Sequence, residues 1–283
     1  MPEEEKFAEI NQRLDEKLEQ HFPPDLFKTN QLLRILEQGK SIQDGNIKTA
    51  ENKNIFDNRS VKGEGTRKRQ IAQGHYGIIY ETDFVIDGHR TTFAEKSFKD
   101  NEYGTAEENA KSSFNKYLVA CAAKLRVFPI YCLSEDKKSI LMTPYFGDWG
   151  CVSANNRPTL EDLGLEQMKS IDNFQALLEN LFTEAIKAAQ SKIRIVSDLF
   201  LFLVNKENPS FLDFISGDFD QISTNFDEYE EEEIFTIALA YNLENVIISL
   251  QLFLESNVKN YQSYIAELRN YYRKIAKQYG NIF

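Results

Sequence analysis

An α+β fold is what this 283-residue sequence predicts, and three observations predict it. Between residues 69 and 100 apolar residues come in short, β-branched stretches separated by turn residues, as strands do. Beyond residue 170 they recur at steps of three and four over long spans, as in helices packed on a core. The strand-rich half precedes the helix-rich half, a layout in which a cleft between the halves would hold a ligand.

The elements follow in chain order. Phe7, Ile10, Leu14, Leu18 and Phe22 form one apolar stripe on a helix over residues 3–22, which Pro23 and Pro24 stop. Residues 26–36 predict a second short helix, and residues 39–68, rich in Asn, Asp, Lys and Gly, predict a long loop. RQIAQG, GIIYETDFVI and TTFAEKSF predict three strands, with Asp87-Gly88 as a hairpin turn between the last two. Residues 105–126 predict a helix, and two more strands are expected at 128–133 and 139–144. An amphipathic helix over 171–192, strands near 200–204 and 211–214, and helices over 231–255 and 259–278 complete the chain. The domain division expected is 1–68 as an N-terminal helical extension and loop, then 69–283, split at 146/147.

Composition narrows the function. A net charge of -11 argues against a nucleic-acid binder, although Lys62, Arg67, Lys68 and Arg69 form a local basic group. Cys121, Cys132 and Cys151 lack paired spacing, which fits reduced thiols in a cytosolic compartment and gives no zinc signature. MPEEEKF carries no secretory leader pattern. The apolar run 234–254 is interrupted by Asn242, Glu244, Asn245 and Gln251, so a buried core helix is expected and not a transmembrane segment. His21, His75 and His89 are too scattered for a zinc site or a Ser-His-Asp set, and no Walker A lysine follows the glycines.

Chemistry concentrates in three stretches. In AQGHYGIIY, Gly74 and Gly77 lie three apart before a β-branched run. In FAEK, Lys96 follows Gly77 by nineteen residues, room for a strand, a turn and another strand. Glycines let backbone N–H groups approach phosphate oxygens, and a lysine supplies the compensating point charge. The third stretch, IRIVSDLFLFLVNKENPSFLDFISGD, carries two Asp-apolar pairs, Asp198-Leu199 and Asp213-Phe214.

These stretches, in this order, resemble the protein kinase family over about residues 69–255. The resemblance implies a bilobal fold, with a small N-terminal sheet lobe and a larger helical C-terminal lobe, that binds ATP and Mg2+ and transfers the γ-phosphoryl group to a protein Ser/Thr hydroxyl. Gly74 and Gly77 match the last two glycines of the phosphate-covering turn, Ile79 matches the following valine, and Ala72 replaces the first glycine. Ala94 and Lys96 match the V-A-I-K strand, making Lys96 the phosphate-holding lysine. Glu107 and Glu108 are the carboxylates available to pair with it. ILMTPYFGDWG is similar to the fifth strand and hinge, which places Thr143 and Tyr145 near the adenine. Asp198 would be the catalytic base and Asp213 the metal ligand.

The departures are as specific. Val196 and Ser197 replace the His-Arg pair, Leu203 stands five residues after Asp198 where the metal-binding Asn belongs, and Ile215 replaces the glycine of D-F-G. Asn205, Asn208, Asp218 and Asp220 are the oxygen donors that could substitute. Three functions therefore stand: an active divergent kinase of the bacterial-effector type, a pseudokinase serving as scaffold or regulator, or a helical partner-binding protein with no nucleotide site.

Overall fold

The computed structural model of the chain describes residues 40–43, 46–49, 60–61, 65–86, 89–127, 130–134, 137–142, 149–154 and 159–279. The helices expected over 3–22 and 26–36, and the Asp87-Gly88 turn itself, lie outside the described residues. The fold is α+β and divides into two compact units, residues 1–122 with 128–147 and residues 123–127 with 148–283.

The first unit is built on a six-stranded sheet. Its strands are β3 (Ser60–Val61), β4 (Thr66–Gln73), β5 (Gly77–Ile86), β6 (His89–Phe98), β7 (Ile130–Ser134) and β8 (Ser139–Met142), in the order β3-β7-β8-β6-β5-β4. All neighbours are antiparallel except β3 and β7. Helix α1 (Ala106–Ala122) lies between β6 and β7 in the chain. A separate hairpin pairs β1 (Lys40–Gln43) with β2 (Asn46–Thr49). These short strands fall in the stretch expected to be loop; Asp44-Gly45 between them is the turn signal that the loop reading passed over.

β5 and β6 pair without interruption from Gly77↔Phe98 to Ile86↔His89. Period-two alternation puts one set of their side chains on each face. On one face Glu95 accepts from Arg67 Nη2 (2.8 Å), Thr82 Oγ1 (2.8 Å) and Ser139 Oγ (2.9 Å). Burial alone would push this carboxyl above the ordinary glutamate value, but those donors outweigh it and hold it below. The edge strand β4 is exposed and charged, which blocks edge-to-edge association. Arg67, Lys68 and Arg69 pair with Glu95, Asp83 and Glu81, so three of the four basic residues read as a patch are neutralised within the sheet.

The second unit places β9 (Trp149–Ser153), β10 (Phe200–Asn205) and β11 (Leu212–Ser216) in an antiparallel sheet of order β11-β10-β9. Helices α2 (Phe174–Gln190), α3 (Glu231–Asn257) and α4 (Gln262–Gln278) complete it. β10 is central and buries Phe200, Phe202, Leu203 and Val204, which explains an apolar run with no alternation. Phe202 meets Phe253 of α3 at 4.4 Å between ring centroids, and each such fully buried ring contributes about 1.5–3 kcal/mol. α3 is long and apolar enough to cross a membrane, yet half of its most apolar window is buried inside the unit, as the core-helix expectation requires. Its first turn carries Glu231, Glu232 and Glu233, where carboxylates suit the positive end of the helix dipole. β9 was not anticipated.

Candidate functional site

Register brings four of the expected nucleotide-binding residues to one face of the first unit's sheet. Lys96 pairs with Ile79 on one side and Ile140 on the other, and Ala94 pairs with Glu81 and Met142. Gly77, Ile79, Ala94 and Lys96 therefore share a face, opposite to Glu95. The Lys96 ammonium lies 5.1 Å from the Phe98 ring centroid. Ala94 is buried and Lys96 half-buried, a small residue beside a partly desolvated cation. Thr143 and Tyr145 lie outside the described residues.

The two glycines of the turn differ in why they are glycine. A Cβ on Gly77 would fall 2.2 Å from the Ser97 carbonyl oxygen, so the close approach of β5 to β6 itself requires glycine there. A Cβ on Gly74 would meet nothing within 4 Å. The Gly74 N–H donates to the Gly77 carbonyl (2.9 Å) and closes the turn. His75 is exposed, its Nε2 3.3 Å from a carboxylate oxygen of Glu102.

Neither glutamate considered for Lys96 is committed to it. Glu108 forms a capping box with Thr105, accepting from the Thr105 N–H (2.8 Å) and hydroxyl (2.9 Å) while Thr105 Oγ1 accepts from the Glu108 N–H. Those Thr105 donors hold its carboxyl below the ordinary value. Glu107 pairs with Lys111 one turn on, which likewise holds its carboxyl down.

In the second unit the two Asp-apolar pairs have different fates. Asp213 sits mid-strand in β11, opposite Leu203 of β10, and both its oxygens accept from Arg126 at 2.7 Å. The Arg126 guanidinium also lies 4.6 Å from the Phe214 ring centroid, and the Arg126 main-chain N–H donates to the buried Glu184 carboxylate. This fork occupies the ligand positions a metal would need. Leu203 is buried and supplies no oxygen donor.

Asp198 lies in a 3-10 turn, Ser197–Leu199, and Asp220 in a second, Phe219–Gln221, with Asp218 just before it. The two turns are joined through the backbone: the Gly217 N–H donates to the Leu199 carbonyl at 2.8 Å, and the Asp218 N–H lies 3.5 Å from the same oxygen. The chain thus brings Asp198, Asp218 and Asp220 onto adjoining turns at the end of β11. Among the described residues no group of three or more His, Cys, Asp or Glu is arranged to hold a metal ion by itself.

Two further groups position these turns and were missed as site residues in the sequence. Asn242 of α3 is fully buried; its Oδ1 accepts from the Ile195 N–H (2.8 Å), and its Nδ2 donates to the carbonyls of Ile193 (2.8 Å) and Ala185 (3.2 Å). Asn245 accepts from the Ser197 N–H at 3.0 Å. Two asparagines one helical turn apart inside an apolar run were the available signal, since a buried amide needs partners. Arg194 bonds the Asn225 carbonyl (2.7 Å) and lies 5.0 and 5.8 Å from the Phe226 and Tyr241 ring centroids. Neither a protein-family model nor a curated protein matches this sequence.

Proposed function

We propose that this chain is a divergent kinase-like protein that binds ATP with Mg2+ and transfers the γ-phosphoryl group to a protein hydroxyl. The observation that carries the proposal is that the turn bearing Asp198 is tied through the Leu199 carbonyl to Gly217 and Asp218, which lead into the turn bearing Asp220. Two features of the first unit add support. The lysine-bearing strand is internal to the sheet, with Gly77, Ile79 and Ala94 on the same face. The chain also runs through three strands, a helix and two strands in the order that the resemblance implies.

The residues fit the ligand in part. Magnesium takes hard oxygen donors and binds through one or two carboxylates plus substrate phosphates. Asp198 and Asp218 bring carboxylates of that kind to adjoining turns; both Asp213 oxygens are forked onto Arg126, and Leu203 has no oxygen donor in its side chain. The metal role therefore passes from Asp213 to Asp218, with Asp220 beside it. Bound ATP and its magnesium supply the transferable phosphoryl group and neutralise its charge. Lys96 holds phosphate oxygens by point charge, Gly74 leaves the turn's backbone open to them, and Asp198 orients the acceptor hydroxyl and takes its proton. Asn242 and Asn245 hold the backbone leading to Asp198 so that its carboxylate is preorganised.

A second reading, a nucleotide-binding scaffold without transfer, is favoured by Val196 and Ser197 ahead of Asp198 and by the buried Leu203. A thermal-shift titration separates the readings. Under the kinase reading Mg-ATP should stabilise the protein, ATP with EDTA should do so far less, and Lys96→Ala should abolish the shift. Radiolabelled transfer that Asp198→Asn and Asp218→Asn each remove establishes catalysis. A shift without transfer selects the scaffold, and no shift at all selects the partner-binding protein.

A further inference from the structure

The turn that carries Gly74 is a hairpin tip, and tips of this kind ordinarily fray. Here it is gripped by a second turn, residues 99–104. The Lys99 N–H donates to the Tyr76 carbonyl at 3.0 Å. The Tyr76 and Tyr103 rings stack at 5.7 Å between centroids, and His75 packs edge-on against both, 5.4 and 5.9 Å away. His75 Nε2 also lies 3.3 Å from Glu102. Tyr103 is 67% exposed, so burial alone does not hold it there; its ring contacts and its backbone do.

That second turn is in turn fixed to α1. Asn101 and Gly104 exchange backbone hydrogen bonds, and the Tyr103 N–H donates to Asn101 Oδ1 at 3.0 Å. Asn109, on the second turn of α1 and 6% exposed, directs its Nδ2 at the Lys99 carbonyl (3.0 Å), Asn101 Oδ1 (3.1 Å) and the Gly104 carbonyl (3.2 Å). Asp100 accepts from the Ala106 N–H at 2.7 Å, capping the same helix end.

We infer that the Tyr76–Tyr103–His75 cluster and the Asn109 hub latch the glycine turn to the start of α1, so that the two move as one body. A ligand or partner that displaces α1 would then move the glycine turn, and ordering of the turn would order the helix start. This coupling needs no nucleotide, so it stands or falls apart from the function proposed above.

Hydrogen–deuterium exchange on the full chain tests it without ligand. Two amides report the latch: Gly74, bonded to Gly77, and Lys99, bonded to Tyr76. Tyr103→Ala should speed exchange at both severalfold, while Tyr103→Phe, which keeps the stack, should leave both at the wild-type rate. Asn109→Ser should speed exchange at Gly104 and Ala106 and also at Gly74, with the central β5 amides unchanged as the sign of an intact sheet. Where the serine variant loosens the sheet, Asn109→Asp, which keeps the shape and removes the donor, replaces it. Wild-type rates at Gly74 and Lys99 in Tyr103→Ala, or an Asn109 effect confined to the helix end, would overturn the latch.

Discussion

Alanine at Gly77 and alanine at Gly74 should have opposite effects on stability, although the two glycines belong to one sequence motif. At Gly77 the added carbon would sit 2.2 Å from the Ser97 carbonyl oxygen, 3.0 Å from its carbon and 3.1 Å from the Phe98 Cα. All three neighbours are backbone, so no flexible side chain can step aside. Overpacking of this kind costs about 1–3 kcal/mol, and opening the end of the β5–β6 ladder adds about 0.5–1.5 kcal/mol for each hydrogen bond lost. We expect Gly77→Ala to lose roughly 2–4 kcal/mol on those two counts. At Gly74 nothing stands within 4 Å, and a narrower unfolded ensemble should add up to about 0.4–1 kcal/mol. Trp149, the one tryptophan, lies in the second unit, so its fluorescence would miss the change. Urea denaturation followed by far-UV circular dichroism, with exchange at β5 and β6 amides to localise it, is the right assay. Equal tolerance of the two alanines, or a neutral Gly77→Ala, would refute the steric argument. If the turn also covers phosphates, Gly74→Ala should weaken Mg-ATP binding in a protein of undiminished stability.

Removing Arg126 by substitution to Ala strands Asp213, while the main-chain N–H that serves Glu184 stays. Breaking a fully buried pair costs about 3–5 kcal/mol, an upper bound for this partly exposed one. In Arg126→Met/Asp213→Leu much of the loss should return, as chemical denaturation would show. Asn242→Leu deprives two backbone groups of the Asp198 approach, the Ile195 N–H and the Ile193 carbonyl, of their side-chain partner, at about 1–3 kcal/mol each before relaxation, and transfer activity should fall more than ATP affinity does. Glu95 has a carboxyl held below its ordinary value, so it contributes stability above the unfolded-state pKa that is lost as pH falls through the folded one. Urea midpoints measured from neutrality down to about pH 3, below the ordinary glutamate range, should therefore drop more steeply for the wild type than for Glu95→Gln, the difference opening only at the acid end. Burial pushes the Cys151 thiol up to about 12, so it should resist alkylation at neutral pH in the folded protein and react on denaturation, as peptide mapping would detect.

How far the fold was legible varied with how local its cause was. β5, β6 and α3 are dictated by their own composition, and the reading placed each close to where it lies. β9 is five residues long and gains its strand state only from pairing with β10, fifty residues on; nothing local announces it. The candidate site shows the same division. Lys96, Gly77 and Ile79 share a face because strand periodicity is local. Whether the Asp213 carboxylate already has a partner is not local, for it depends on Arg126, 87 residues away. The capping box Thr105-Ala106-Glu107-Glu108 was visible in the sequence and by itself assigns Glu108 to the helix end.

The antiparallel bridge between Arg194 and Ser223 has a consequence for how the carboxylate turns could be engineered. With two backbone hydrogen bonds at its neck (2.8 and 3.0 Å), the span from 195 to 222 is a closed loop carrying Asp198 and Asp218 as well as the β10–β11 hairpin. Lengthening a loop already closed at its base costs little, about 0.6 kcal/mol for each doubling. The hairpin's far tip, residues 206–209, is exposed. A fluorophore or short affinity tag inserted there should leave the neck shut and the aspartates undisturbed, giving a handle on this region that touches none of its chemistry.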